Sequence, residues 1–394
     1  MTEHVLAAEA AVMPTYRRYP VTLVRGEGMH VFDADGRRYL DFAGALGAVP
    51  LGQGHPAWRA AVHEQTDRLG LVSNLYETEP QALLAERLAA LSGIPDARVF
   101  LSNSGAEANE AVLKLVRKWG LARGRSRIVA LNGSFHGRTV ATLAATGQPS
   151  KRVAFEPLVD WFTHVEPEDI DALTAAVTER TAAVMLEPVL GEGGVVPLSK
   201  EYLSAAREIT AANGALLVGD EVQSGLGRCG DWLAISFAGV TPDVVSLAKG
   251  LGGGLPIGAT IARGELAFQP GDHASTFGGG PIPCAAALAV LDTIEKEDLL
   301  ANAVRVGDVI RSSLPRADGV VEVRGMGLMI GVELARPCGE LVKQALDAGL
   351  VINVTAENVV RMLPPLVMNE AEGRMVVDRL APLMQRFLEK RVAA

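Results

Sequence analysis

Short apolar runs recur through the middle of the chain, at 99–101, 128–131, 182–186, 215–219, 244–247 and 259–262. Each is too short for a typical helix and too apolar for a loop, so each reads as a strand buried on both faces. Between most of them the spacing predicts helices, among them 106–119 and 200–213, the second closed by Asn213-Gly214 as a stop signal. Alternation of this kind requires a mainly parallel α/β sheet. Such sheets bind ligands beyond the carboxyl ends of their strands, so the residues just after each run carry the chemistry.

The outer segments differ in texture. Positions 21–42 hold short strand-like pieces around Asp35-Gly36, and 320–333 and 350–363 are strand-rich, with helical stretches between. They predict a smaller α+β lobe. The expected division is an N-terminal segment, 1–65, contributing to the small lobe, a large domain over 66–275, and a C-terminal small domain over 276–394. No internal repeat or low-complexity linker separates them.

Composition excludes several functions. A net charge of -9 argues against the basic footprint that nucleic acid demands, so small molecules are the expected partners. Cys229, Cys284 and Cys338 are odd in number and lie outside any Cys-x-x-Cys spacing, which indicates neither a disulfide framework nor zinc and fits a reducing cytoplasm. The seven histidines lack ligand spacing such as His-Glu-x-x-His, and no metal is expected. Positions 1–18 are interrupted by Glu3 and Glu9 and do not read as a signal peptide; no apolar run reaches the length of a membrane span.

Four strand ends stand out. In Leu247-Ala-Lys-Gly-Leu-Gly-Gly-Gly-Leu-Pro-Ile-Gly258 a lysine sits between an apolar strand and a glycine run that lets a flat or anionic ligand approach the backbone. In Ala215-Leu-Leu-Val-Gly-Asp-Glu-Val-Gln223 a strand ends in two acids, and an inward Asp220 calls for a cationic partner. In Leu101-Ser-Asn-Ser-Gly-Ala-Glu-Ala-Asn109 a strand turns into a helix whose first amides form an anion site; Ser104 reads equally as a phosphate donor and as a helix cap. Ser134-Phe-His-Gly-Arg-Thr139 offers an aromatic to cover a ring and an arginine for a carboxylate. Together these are the parts that pyridoxal phosphate requires. Lys249 bonds its aldehyde, Asp220 keeps its ring nitrogen protonated, and the helix start takes its phosphate.

Across nearly the whole chain the sequence resembles the class III, or ornithine-type, pyridoxal-phosphate aminotransferases, and their acetylornithine subgroup in particular. The motifs that carry the resemblance begin with Tyr19-Pro-Val-Thr-Leu-Val-Arg-Gly-Glu-Gly28, Ser102-Asn-Ser-Gly-Ala-Glu-Ala-Asn109 and Glu187-Pro-Val-Leu-Gly-Glu-Gly-Gly194. Gly219-Asp-Glu-Val-Gln223, the lysine segment, Ser275-Thr-Phe-Gly-Gly279 and Val360-Arg-Met-Leu-Pro-Pro-Leu366 complete them in order. The resemblance implies a fold type I homodimer with shared active sites, its large domain built on a mainly parallel seven-stranded sheet. It implies Lys249 as the Schiff-base lysine and Asp220 at the pyridine nitrogen. Phe135 and Val222 would flank the ring, Gln223 would meet its hydroxyl, and Ser104, Gly105 and Ala106 its phosphate. Thr276 would reach the phosphate of the neighbouring subunit.

For substrate, the resemblance implies that Arg138 holds the carboxylate remote from the reacting carbon. Arg361 would hold the α-carboxylate of glutamate or 2-oxoglutarate, and Glu192 would pair with Arg361 when the amino donor presents no carboxylate there. Ser73-Asn-Leu-Tyr76 resembles a substrate-entry segment. Leu190 and Gly280 depart from the glutamine and asparagine common in the family, and Leu190 lies near Glu192 in sequence. The expected reaction moves the terminal amino group of N2-acetylornithine to 2-oxoglutarate, as in arginine biosynthesis. Ornithine, succinyldiaminopimelate, 4-aminobutyrate and a carrier-linked lysine precursor are alternative donors, and an aminomutase is the alternative of another class. The literal Gly-x-Gly-x-x-Gly at 225–230 suggests a nicotinamide site instead, but Asp220 and Glu221 precede it and would repel a pyrophosphate.

Overall fold

The computed structural model describes residues 11–314 and 318–389. The start of the N-terminal segment, with Glu3 and Glu9, lies outside them, as do 315–317 and 390–394. Three strands open the fold: β1 (Leu23–Glu27), β2 (His30–Asp33) and β3 (Arg38–Asp41). The central strands are β4 (Ala97–Ser102), β5 (Arg127–Leu131), β6 (Phe162–Val165) and β7 (Thr181–Leu186). A small hairpin of β8 (Val189–Leu190) and β9 (Val196–Pro197) follows. Then come β10 (Leu216–Asp220), β11 (Val244–Leu247) and β12 (Gly258–Arg263).

The main sheet has seven strands in the order β4-β12-β11-β10-β7-β5-β6. β12 runs antiparallel to both its neighbours, and the other pairs are parallel. All six apolar runs fall on strands of this sheet. β6 was missing from them because it reads Phe-Thr-His-Val and is only half-buried, the pattern of an edge strand rather than of a sheet interior. Helices on the sheet's faces bury their apolar stripe; Gly105–Leu121 turns Ala108, Val112, Leu115 and Val116 inward. Its start is capped by Ser104, whose hydroxyl accepts from the Glu107 amide at 3.1 Å. Lys200–Ala212 ends as expected at Asn213, with Gly214 at φ 61.

The smaller lobe contains β13 (Val320–Met326), β14 (Met329–Leu334), β15 (Leu350–Val351), β16 (Asn353–Thr355) and β17 (Val359–Met362). Four of these form an antiparallel sheet in the order β13-β14-β17-β16, while β15 pairs in parallel with β3. The lobe's core therefore mixes Met29, Leu40, Phe42 and Leu51 with Leu328, Ile330, Val360 and Phe387. Helix Pro281–Lys296 belongs to both lobes: Cys284, Ala287 and Leu291 pack in the core of the main sheet, Val290 and Ile294 in the other.

The glycine-rich stretch 225–230 forms turns, not the start of a helix. Within it Arg228 is buried, donates to the Leu328 carbonyl at 3.1 Å, and its own carbonyl accepts from the Leu328 amide at 2.9 Å. That stretch ties the lobes together, which is a structural use for a pattern that literal reading assigns to a dinucleotide.

Candidate active site

Lys249 follows the end of β11 with φ 41, a conformation that disfavours any residue with a Cβ and that is held only where the surroundings dictate it. The glycines after it allow close approach. A Cβ at Gly258 would lie 2.4 Å from the Ser104 carbonyl, so only glycine lets β12 begin against the turn that follows β4. Burial lowers the Lys249 pKa, and the Arg361 guanidinium lowers it further, while Glu192, Glu187 and Asp220 oppose the shift. The amine is thereby biased toward its neutral, nucleophilic form.

Asp220, at the end of β10, is buried. Its Oδ2 accepts from Asn109 Nδ2 at 2.7 Å and faces His136 Nδ1 at 2.8 Å; its Oδ1 accepts from the Val222 amide at 3.1 Å. Asn109 is on the helix one turn below Gly105, and its Nδ2 also donates to the His136 carbonyl at 2.8 Å. Helix, loop and strand thus converge on one carboxylate. Glu221 faces elsewhere, accepting from the Ile235 amide at 2.8 Å and from Ser224 Oγ at 2.5 Å; burial pushes its pKa up to about 7. Glu187, after β7, accepts from the Phe135 and Gly191 amides at 2.7 and 3.2 Å and holds the Phe135 loop in place. Burial pushes its pKa up to about 7 as well.

These residues fit pyridoxal phosphate. A buried carboxylate that accepts from the Asn109 side chain and the Val222 amide suits a protonated ring nitrogen. At the helix start, the Ser104 hydroxyl accepts from Glu107 and keeps its own hydrogen to donate, while the Gly105 and Ala106 amides have no partner within the helix. Gly105 is further constrained, because a Cβ there would come within 2.7 Å of Val222 Cγ1. Phe135 is half-buried beside this cradle.

Arg361 on β17 is 1% exposed and gathers partners from three segments. Its Nη1 donates to Glu192 Oε1 at 2.7 Å and to Gln223 Oε1 at 3.2 Å, and its Nη2 and Nε donate to Asn353 Oδ1 at 2.7 and 3.0 Å. Burial alone would raise the Glu192 pKa, but Arg361 outweighs it and holds the carboxyl below its ordinary value. Thr355 Oγ1 donates to the Glu192 carbonyl at 2.8 Å, fixing that loop. Arg138 is exposed, its guanidinium 5.4 Å from the centre of the Phe135 ring.

Ser73 and Thr276 are exposed on neighbouring loops. Asn74 Nδ2 joins these loops by donating to the Ser275 and Gly278 carbonyls at 2.8 and 2.9 Å. Leu75, Tyr76 and Phe277 beside them are 89%, 68% and 62% exposed, an apolar patch that a lone chain would not be expected to leave to water. Leu190 is buried in the core of the main sheet, and Gly280 caps helix Pro281–Lys296.

Sequence reading missed Asn109 and His136 as holders of Asp220, Glu187 as the anchor of Phe135, and Asn353 as the second partner of Arg361. The first three lie inside motifs already quoted. Asn109 is four residues after Gly105, hence on the same helix face, and that spacing was the signal available. Asn353 had none.

The family model for aminotransferase class-III matches residues 11–384. Acetylornithine aminotransferase 1 of Bordetella bronchiseptica is 48% identical over 389 residues, 96% of this chain and 98% of that protein. The acetylornithine aminotransferase of Streptomyces coelicolor is 50% identical over 387 residues, covering 97% and 95%. Among solved structures, the ornithine aminotransferase of Toxoplasma gondii superposes with a TM-score of 0.93 at 31% identity, covering 99% of this chain and 96% of that one. On these matches, and on a strand-end lysine and acid placed as the chemistry needs them, the chain belongs to the class III aminotransferases, enzymes that use pyridoxal phosphate to pass an amino group from an amino compound to a keto acid.

Proposed function

We propose that the enzyme transfers the δ-amino group of N2-acetylornithine to 2-oxoglutarate, giving N-acetylglutamate 5-semialdehyde and glutamate, as arginine biosynthesis requires. The observation that carries this reading is the Arg361–Glu192 ion pair at 2.7 Å, close enough to Lys249 to shift its proton affinity. Two unlike substrates must use one pocket in turn. Glutamate and 2-oxoglutarate place a carboxylate where Arg361 waits, and Glu192 yields it; the δ-carbon of acetylornithine carries no charge, and Glu192 then keeps the buried guanidinium paired. The names of the relatives point to the same donor.

Pyridoxal phosphate, when bound, supplies an aldehyde for the amino group and a ring that takes up the electron pair left on the substrate carbon. Lys249 would hold the cofactor through its Nζ and, with that amine free, would take and return the proton of the substrate carbon. Asp220 keeps the ring nitrogen protonated, with Asn109 and His136 orienting its carboxylate. Ser104, Gly105 and Ala106 would take the phosphate, Phe135 and Val222 would bound the ring, and Gln223, which accepts from Arg361, would meet the ring hydroxyl. Arg138 grips the carboxylate remote from the transferred amine.

We further propose a homodimer in which Thr276 reaches the partner's phosphate site and the Ser73 loop borders substrate entry, supported by the exposed patch around Leu75, Tyr76 and Phe277. The proposed compartment is the cytoplasm, supported by cysteines that are all free and buried. The deciding measurement is the absorbance spectrum of the loaded enzyme. N2-acetylornithine without keto acid should convert the cofactor to its amine form, and 2-oxoglutarate should restore it; Lys249→Ala should do neither. No response to the amine would refute the donor assignment.

A further inference from the structure

Phe135 has one cation more beside it than the proposed reaction uses. Arg138 and Lys151 flank the same ring, with Cζ and Nζ at 5.4 and 5.7 Å from its centre. Lys151 is half-buried on the short helix Pro149–Arg152. Its Nζ donates to Gln148 Oε1 at 2.6 Å, and Gln148 Nε2 donates to the Gly133 and Ser134 carbonyls at 3.2 and 3.1 Å. Gln148 therefore moors the ammonium to the loop that carries Phe135. Burial lowers the Lys151 pKa, Glu192 opposes the shift, and Arg138 and Arg361 add to it. Glu192 already balances Arg361, and Arg138 is sufficient for one carboxylate. Lys151 is left with a neutral amide as its partner.

We propose that Lys151 is a specificity-determining residue that selects amino donors whose α-amine is acylated. Its ammonium donates to the acyl oxygen beside the carboxylate held by Arg138. A donor with a free α-amine brings a second ammonium to the same place and is repelled. The inference rests on the reading that Arg138 holds the end of the donor remote from the transferred amine. If Lys151 only braced Gln148, its loss would harm every donor equally.

The test compares kcat/KM for N2-acetylornithine and for ornithine in the loaded enzyme, Lys151→Met and Lys151→Arg, with Lys151→Gln as the substitute should the methionine variant fail to fold. Removing the charge should reduce the preference for the acetylated donor about tenfold or more, the size of a hydrogen bond to a charged group. The change should appear as a higher KM for acetylornithine and a higher kcat/KM for ornithine, and Lys151→Arg should retain the preference. A preference within about twofold of the unaltered enzyme's, or equal losses for both donors, overturns the inference alone. An unaltered enzyme inactive on both amines overturns the proposed function and the inference with it.

Discussion

At the scale of single residues, Asp220 and Glu221 are adjacent, both buried, and opposite in use. Asp220 gathers donors from a helix and a loop. Glu221 is turned toward Ser224 and Ile235 with a pKa raised by burial to about 7 from 4.5. Between those two values the unfolded chain ionises while the folded one keeps its proton, so this group makes stability fall as pH rises. Glu221→Gln removes that slope. Relative to the unaltered enzyme the variant should gain on the order of 1–3 kcal/mol between pH 5 and 8, read from denaturant unfolding at the two pH values. An unchanged difference would mean that Glu221 ionises normally. The sequence made both acids visible as strand-end groups and pointed to Asp220 as the inward one, but not to what decides between them. That choice depends on His136 and Asn109, which lie 84 and 111 positions away and meet Asp220 only through the sheet order.

At the scale of elements, the turn from β4 into helix Gly105–Leu121 was legible as strand, small-residue turn and helix, with Ser104 open between cap and phosphate donor until the structure placed its hydroxyl on the Glu107 amide. What the motif could not reveal is how tightly the turn is packed from outside. Val222 reaches it from the turn after β10, and a Cβ at Gly105 would come within 2.7 Å of that side chain. Gly105→Ala should therefore displace Val222 and weaken cofactor retention roughly tenfold or more, as overpacking by a methyl costs about 1–3 kcal/mol. Fluorescence titration of the stripped enzyme with pyridoxal phosphate measures this, with circular dichroism to verify the helix; unaltered affinity would show that the turn relaxes freely. β6 illustrates the opposite limit of legibility. A half-exposed edge strand has no continuous apolar run to betray it.

At the scale of the whole molecule, the exposed loops bearing Ser73 and Thr276 make sense as a surface meant to be covered. Sedimentation should give twice the chain mass, and Leu75→Asp together with Tyr76→Asp should shift it to that of one chain with loss of activity. An active monomer would refute shared sites. The sequence located both loops and the lobes' strand-rich character. It could not show that β15 completes the sheet begun by β1, β2 and β3, because two-residue strands carry almost no pattern of their own.

That pairing has a consequence for biogenesis. β3 ends at Asp41 and its parallel neighbour begins at Leu350. At ~5–20 residues per second, a ribosome needs roughly 15–60 s to make the chain between them. Throughout that interval the outer edge of β3 has no mate, and before it closes every strand of the main sheet has been made. The nascent enzyme must therefore keep an unsatisfied strand edge from pairing with its neighbours on the same message, a hazard that a chaperone or a short-lived non-native contact would have to absorb.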